Sequence, residues 1–146
     1  MKANELMVGD WVYSTFYDKP CKVIGIERYE SGYANVKVTN VTGTKDINSL
    51  YFIPLTPEIL KKNGFKKVQI HGEKQDDIFQ CFDGEIIIEV GIYDPNFILI
   101  HYRYETPDGI NSGELSSIVK VDGGKFYLHE LQHALRLCGI EKEIVL

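Results

Sequence analysis

The sequence contains no uninterrupted apolar run longer than four residues, the longest being residues 50–53 and 97–100. A membrane-spanning helix needs roughly 20 such residues, so none is encoded. The first ten residues lack an apolar core of signal-peptide length, and the protein is expected in the cytoplasm. Cysteine is scarce: three residues, Cys21, Cys81 and Cys138, odd in number, widely spaced and without a Cys-x-x-Cys pair. That arithmetic argues against a disulfide framework and a thiolate zinc site, and leaves buried, reduced thiols as the expectation. Positive charge is in deficit too, with 16 Lys and Arg against 21 Asp and Glu, a net charge of −5. An overall field of that sign does not drive non-specific phosphate binding. There is no Gly-rich phosphate loop followed by Lys-Ser/Thr and no Gly-x-Ser-x-Gly elbow. Asp76, Asp77, Asp83 and Glu85 lie near turns without the dense oxygen spacing of a Ca²⁺ loop.

What is present is the composition of a folding chain: 146 residues, 44% apolar and 25% charged. Residues 1–55 read as short strands divided by turns. Trp11-Val12-Tyr13 opens the series, and residues 21–27 follow with Gly25 as a bulge. Residues 33–39 alternate, with Ala34, Val36 and Val38 on one face. After a turn at residues 40–45, residues 46–53 give a further extended stretch. Strand count and turn spacing predict an SH3-like small β-barrel over 1–55.

Thr56-Pro57-Glu58 then signals a helix start, and Asn63-Gly64 its end, which makes residues 56–64 a helical hinge. Over 65–146 the pattern predicts an antiparallel meander of residues 65–71, 78–82, 85–93, 97–104 and 115–121, with a hairpin turn at Asp83-Gly84, a turn at 94–96 and a loop at 106–113. Asp122-Gly123-Gly124 ends it. A helix follows over about 126–138, with Leu128, Leu131, Leu135 and Cys138 as its apolar stripe and Gly139 as its stop. Residues 141–146 are expected to add an edge strand. The fold class is mainly β, α+β overall. The net charge divides unevenly, since residues 1–55 hold six basic and six acidic side chains and the deficit of five falls in 56–146.

Within the last helix stands His129-Glu130-Leu131-Gln132-His133. Two histidines four apart share a helix side, so they can hold one zinc while the intervening Glu activates its water. A minimal zinc hydrolase using His129, His133 and Glu130 is therefore an alternative. Against it, only 13 residues follow His133, and Arg136 and Gly139 stand where a longer motif would place Gly and His. At about 100° per residue both imidazoles point away from the apolar stripe. A solvated polar face is the expected role, with adventitious metal binding as a further alternative and no cofactor implied. His101 and Arg103 alternate with Ile100 and Tyr102 and are expected on a sheet surface.

The first part is richer in contact chemistry. Trp11, Tyr13, Phe16, Tyr17, Tyr29 and Tyr33 place six aromatics within 23 residues, interleaved with Lys19, Lys22, Arg28 and Lys37. Aromatics and Arg give large contact area at low entropic cost. Trp11 and about half of the others are expected to fill the barrel core, while Tyr13, Tyr17 and Tyr29 are partly exposed and, with Arg28, form the candidate binding set.

The opening residues 4–12 (Asn-Glu-Leu-Met-Val-Gly-Asp-Trp-Val), the stretch 53–65 containing Leu55-Thr56-Pro57-Glu58-Ile59-Leu60, and the closing Tyr127-Leu128-His129-Glu130-Leu131-Gln132 resemble a group of small uncharacterised proteins from gut anaerobic bacteria, their phages and other mobile elements. In that group the last block often reads His-x-Leu-Gln-Asn, without a Glu130–His133 pair. The resemblance covers most of the chain, rests on structural motifs and implies no activity. The expectation is a non-enzymatic interaction module of a mobile-element type. A protein partner is favoured over nucleic acid, nucleic-acid binding by the N-terminal barrel is an alternative, and a homo-oligomer is open.

Overall fold

The computed structural model describes residues 3–31, 33–39, 45–68, 77–92, 96–120 and 124–146. The expected turn at 40–44, the continuation of a strand through 69–71, Asp76, most of the turn at 94–96 and the start of the 122–124 turn lie outside them. No helix among the described residues is long and apolar enough to cross a membrane. The fold is α+β and mostly strand, built as two compact units that each hold one antiparallel five-stranded sheet.

The first unit comprises Met1–Pro54 together with Tyr127–His129. Its strands are β1 (Trp11–Ser14), β2 (Lys19–Arg28), β3 (Ala34–Val38), β4 (Lys45–Asp46) and β5 (Leu50–Phe52), ordered β4-β3-β2-β1-β5. One 3₁₀ turn, Ile47–Ser49, carries the chain from β4 to β5, which returns to pair with β1. The bulge expected at Gly25 is present, as the β2–β3 register shifts between Val23 and Gly25. The expected closed barrel is instead an open sheet with β4 and β5 as its edges. The continuous stretch expected over 46–53 is broken by the 3₁₀ turn, and β4 supplies only two residues.

The core of this unit is aliphatic: Leu6, Val12, Cys21, Val23, Val36, Val38 and Leu50, with Ile26, Ile47 and Phe52 packed against it. Each such side chain contributes roughly 1.5–3 kcal/mol on burial. None of the six clustered aromatics is among the buried residues, which corrects the expectation that Trp11 and half of the set fill the core. Register is the cause. Trp11 sits opposite Lys22, so the face that carries Trp11 also carries a lysine and cannot be the dry one.

The second unit comprises Leu55–Phe126 and Glu130–Leu146. It opens with α1 (Pro57–Lys62). The Thr56 hydroxyl accepts from the Ile59 N–H at 3.4 Å, Pro57 stands in the first turn, and hydrogen bonds from the Glu58 backbone N–H and then the Thr56 hydroxyl hold the Glu58 carboxyl below its ordinary range. The meander is β6 (Lys66–Val68), β7 (Ile78–Asp83), β8 (Ile86–Gly91), β9 (Asn96–Thr106) and β10 (Gly109–Lys120), paired in sequence order. Register places Phe79, Cys81, Ile88, Val90, Ile98 and Ile100 on one face, all buried. Phe97 lies opposite Gly91, where an added Cβ would come within 2.5 Å of its ring, so the glycine makes room for the aromatic. Residues 106–113, expected as a loop, are strand on either side of a two-residue turn. Their polar side chains tie the hairpin together: Thr106 Oγ1 donates to the Gly109 carbonyl at 3.0 Å and accepts from Asn111 Nδ2 at 2.8 Å.

The helix α2 (Leu128–Leu137) buries Leu128, Leu131, Ala134 and Leu135. Leu128 and His129 group with the first unit and the remainder with the second. The chain stops it at Gly139 (φ 70°), and the Ile140 N–H returns to the Leu135 carbonyl at 2.9 Å while its side chain is buried. Residues 141–146 form no strand, contrary to expectation. Asn63 holds them instead: its Oδ1 accepts from the Val145 N–H, and its Nδ2 donates to the Val145 and Ile59 carbonyls, each at 2.8 Å.

Candidate functional site

In β1, Val12 and Ser14 are fully buried, so Trp11 and Tyr13 point to the opposite face of the sheet. On that face Tyr13 lies opposite Pro20 of β2 and opposite Tyr51 of β5. Tyr51 is 57% exposed and Ile24 55%. The Lys22 ammonium stands 5.6 Å from the Trp11 ring centroid, and that of Lys19 stands 5.9 Å from Tyr17. Lys37 extends the same face opposite Gly25. The outer side of the sheet is therefore an aromatic row, Trp11, Tyr13 and Tyr51, bordered by Lys22 and Lys37.

The four residues expected to form a binding set do not converge. Tyr13 and Tyr17 flank the β1–β2 turn, where Tyr17 also meets Phe16 edge-on at 4.8 Å. Arg28 and Tyr29 lie at the far end of β2, about 25 Å away at 3.3 Å per residue. There Arg28 Nη2 donates to the Leu6 carbonyl at 3.2 Å, which gives it an anchoring role. The Tyr29 hydroxyl donates to Glu27 Oε2 at 2.9 Å and accepts from Asn35 Nδ2 at 3.3 Å. Tyr51 joins the Tyr13 end and escaped sequence reasoning, because 38 residues separate the two and no local pattern reports their pairing.

Asp18, in a left-handed conformation at φ 51°, accepts the Tyr13 hydroxyl hydrogen. That hydrogen bond, with burial and the carboxylate charge adding to it, raises the Tyr13 pKa above 10.0. A group raised in the folded state contributes stability below its ordinary pKa and loses it as pH rises through the shifted value. Tyr13 will therefore ionise above a free tyrosine in an ultraviolet pH titration, and Asp18→Asn will bring it back towards 10. An unchanged titration in the variant would show that the bond is not formed in solution.

The His129–His133 string is placed differently from expectation. His129 is 5% exposed and stacks on Phe52 with ring centroids 3.9 Å apart and planes 18° apart. It is not on a solvated face. The cause is the chain path before the helix: Pro54 and Tyr127 form an antiparallel bridge, and the Leu128 N–H donates to the Ile53 carbonyl at 2.8 Å. Position 129 is thereby seated beside Phe52 although it points away from the apolar stripe. Glu130 Oε2 accepts from Lys120 Nζ at 2.7 Å, so its carboxylate is engaged by a cation. His133 is half-buried. Among the described residues no three or more His, Cys, Asp or Glu side chains gather as a metal site.

Other chemistry-bearing groups are dispersed. His101 Nε2 lies 3.5 Å from Glu89 Oε2 on the half-exposed sheet face of the second unit, and Gln80 donates to the same carboxylate. Asp77 is paired with Lys67. A shallow cleft of about 460 Å³ is lined by Gly84, Glu85, Arg103, Tyr104 and Ile110. Cys21 and Cys81 are buried and Cys138 is partly so, and burial pushes the Cys21 and Cys138 thiols up, which reduces their thiolate content. Compared with protein-family models, with curated proteins and with solved structures, the chain matches none.

Proposed function

We propose that the protein is a non-enzymatic cytoplasmic interaction module, of the mobile-element type its sequence resembles, and that it binds a protein partner through the outer face of the first unit's sheet. One observation carries this reading. The unit fills its core with aliphatic side chains and keeps Trp11, Tyr13 and Tyr51 outside, next to one another. Such rings are large, stiff contact surfaces, and interface energy concentrates on residues of this kind. The lysines around them favour an acidic partner segment. A net charge of −5 opposes a polyanion as long as nucleic acid, so a protein is the better fit. The reading needs no cofactor.

The test uses the full chain and a peptide library of acidic-aromatic composition. Bound peptides are expected to shift backbone resonances of Trp11, Tyr13 and Tyr51. Trp11→Ala and Tyr13→Ser are each expected to weaken binding at least about tenfold while changing stability by less than about 1 kcal/mol, since both side chains lie on the outer face. Salt-sensitive retention of a single-stranded oligonucleotide on the same residues, with no peptide bound, would replace this reading by the nucleic-acid one.

A further inference from the structure

In the second unit, β8 stops short of the far end of β9 and β10. Its first residue, Ile86, lies opposite Tyr102, and the Arg103 N–H donates to the Glu85 carbonyl at 2.9 Å as the last rung. Past that rung β9 and β10 continue as a two-stranded ribbon, with Ser112 opposite Arg103 and Ile110 opposite Glu105. A ribbon of two strands is marginal alone. This one is fastened at its tip by the hydrogen bonds of Thr106 and Asn111. The angle between the ribbon and the Asp83-Gly84 turn is the cleft of about 460 Å³, a volume within the range of small-molecule sites.

Alternation and register set Glu85, Arg103 and Ile110 on one face at this cleft. Arg103 and Glu85 are exposed, and neither enters an ion pair among the described residues. Ile110 is 64% exposed, an apolar side chain left uncovered beside the two charges. We propose that the cleft binds an apolar α-amino acid, with Arg103 taking its carboxylate, Glu85 its ammonium and Ile110 its side chain. Three features select that class. A guanidinium receives a carboxylate through two parallel hydrogen bonds. Glu85 and Arg103 spring from opposed positions, where Cβ atoms lie about 4.5–5.5 Å apart, and an α-amino acid carries both of its charges on one carbon. A zwitterion also adds no net charge, whereas a phosphate would meet Glu85 and the five excess acidic side chains of residues 56–146. An exposed Arg–Glu contact gains little in water, so the ligand displaces no strong bond. The site belongs to the second unit and goes beyond the protein-binding reading, which uses the first.

The test is a titration of the full chain with L-leucine and L-phenylalanine, followed by backbone resonances. Saturable shifts are expected at Gly84, Glu85, Arg103 and Ile110, with a dissociation constant of about 1 mM or below for at least one of the two. The N-acetyl derivative, which lacks the ammonium, and the amide, which lacks the carboxylate, are each expected to bind at least about tenfold more weakly. Arg103→Gln and Glu85→Gln, both at exposed positions, are expected to weaken binding to the same degree with the urea midpoint unchanged. No saturable shift up to about 10 mM of either amino acid overturns the proposal. So do derivatives that bind as well as the parent, or binding indifferent to both variants.

Discussion

Asn63→Leu is expected to lower unfolding stability by about 3 kcal/mol, near 1 kcal/mol for each of the three side-chain hydrogen bonds it removes. The residue is 8% exposed, so the Val145 N–H and C=O lose their partner where water does not readily replace it. Leucine fits the backbone at this position, which has φ −95°, so strain does not confuse the result. The urea midpoint should fall with the slope unchanged, and the Val145 amide should exchange by local opening well before global unfolding. A loss below about 0.5 kcal/mol would mean that water replaces the asparagine and that Ile144, 1% exposed, holds the tail by itself.

His129→Ala is expected to cost about 2 kcal/mol, the combined effect of losing a buried ring and its stacking on Phe52. His133→Ala, at a half-buried position, should cost less than about 1 kcal/mol. This contrast separates the two meanings of the His-x₃-His string. A zinc site would make the two variants equivalent, each losing the metal and the same stability. Purification without an affinity tag, followed by metal analysis of both variants, decides between them. Stoichiometric zinc in the parent that disappears equally in both would establish the metal-bound reading.

Much of the fold was legible where the signal is local. Thr56-Pro57-Glu58 caps a helix start through its own side chains, and Gly139 followed by Ile140 is a stop that any helix reads in the same way. The alternation of Ala34, Val36 and Val38 fixed the buried face of β3. What escaped was decided by pairing between distant residues. Trp11 is as good a core residue as Val12 until it is known that Lys22 lies opposite it. The Pro, Gly, Asn and Ser of residues 106–113 suggest a loop by composition, yet the Thr106 and Asn111 side chains close a hairpin across the strands. Residues 141–146 end in the β-favouring Ile144-Val145-Leu146, and what fixes them is one asparagine more than seventy-five residues earlier in the chain. The spread of Tyr13, Tyr17, Arg28 and Tyr29 has the same cause, since a ten-residue strand carries neighbours in composition to opposite ends of a sheet.

The seating of Tyr127–His129 in the first unit bears on biosynthesis. On the ribosome, β1 to β5 emerge early, yet the three residues that complete their unit leave the exit tunnel only after the whole second meander. Until then the Ile53 carbonyl and the Phe52 ring await Leu128 and His129. The nascent N-terminal sheet must therefore wait, unfinished, until residues 127–129 emerge. Contacts of such long sequence separation slow folding. A stalled chain ending before residue 127 should remain protease-sensitive in its first fifty residues, and the full-length chain should not.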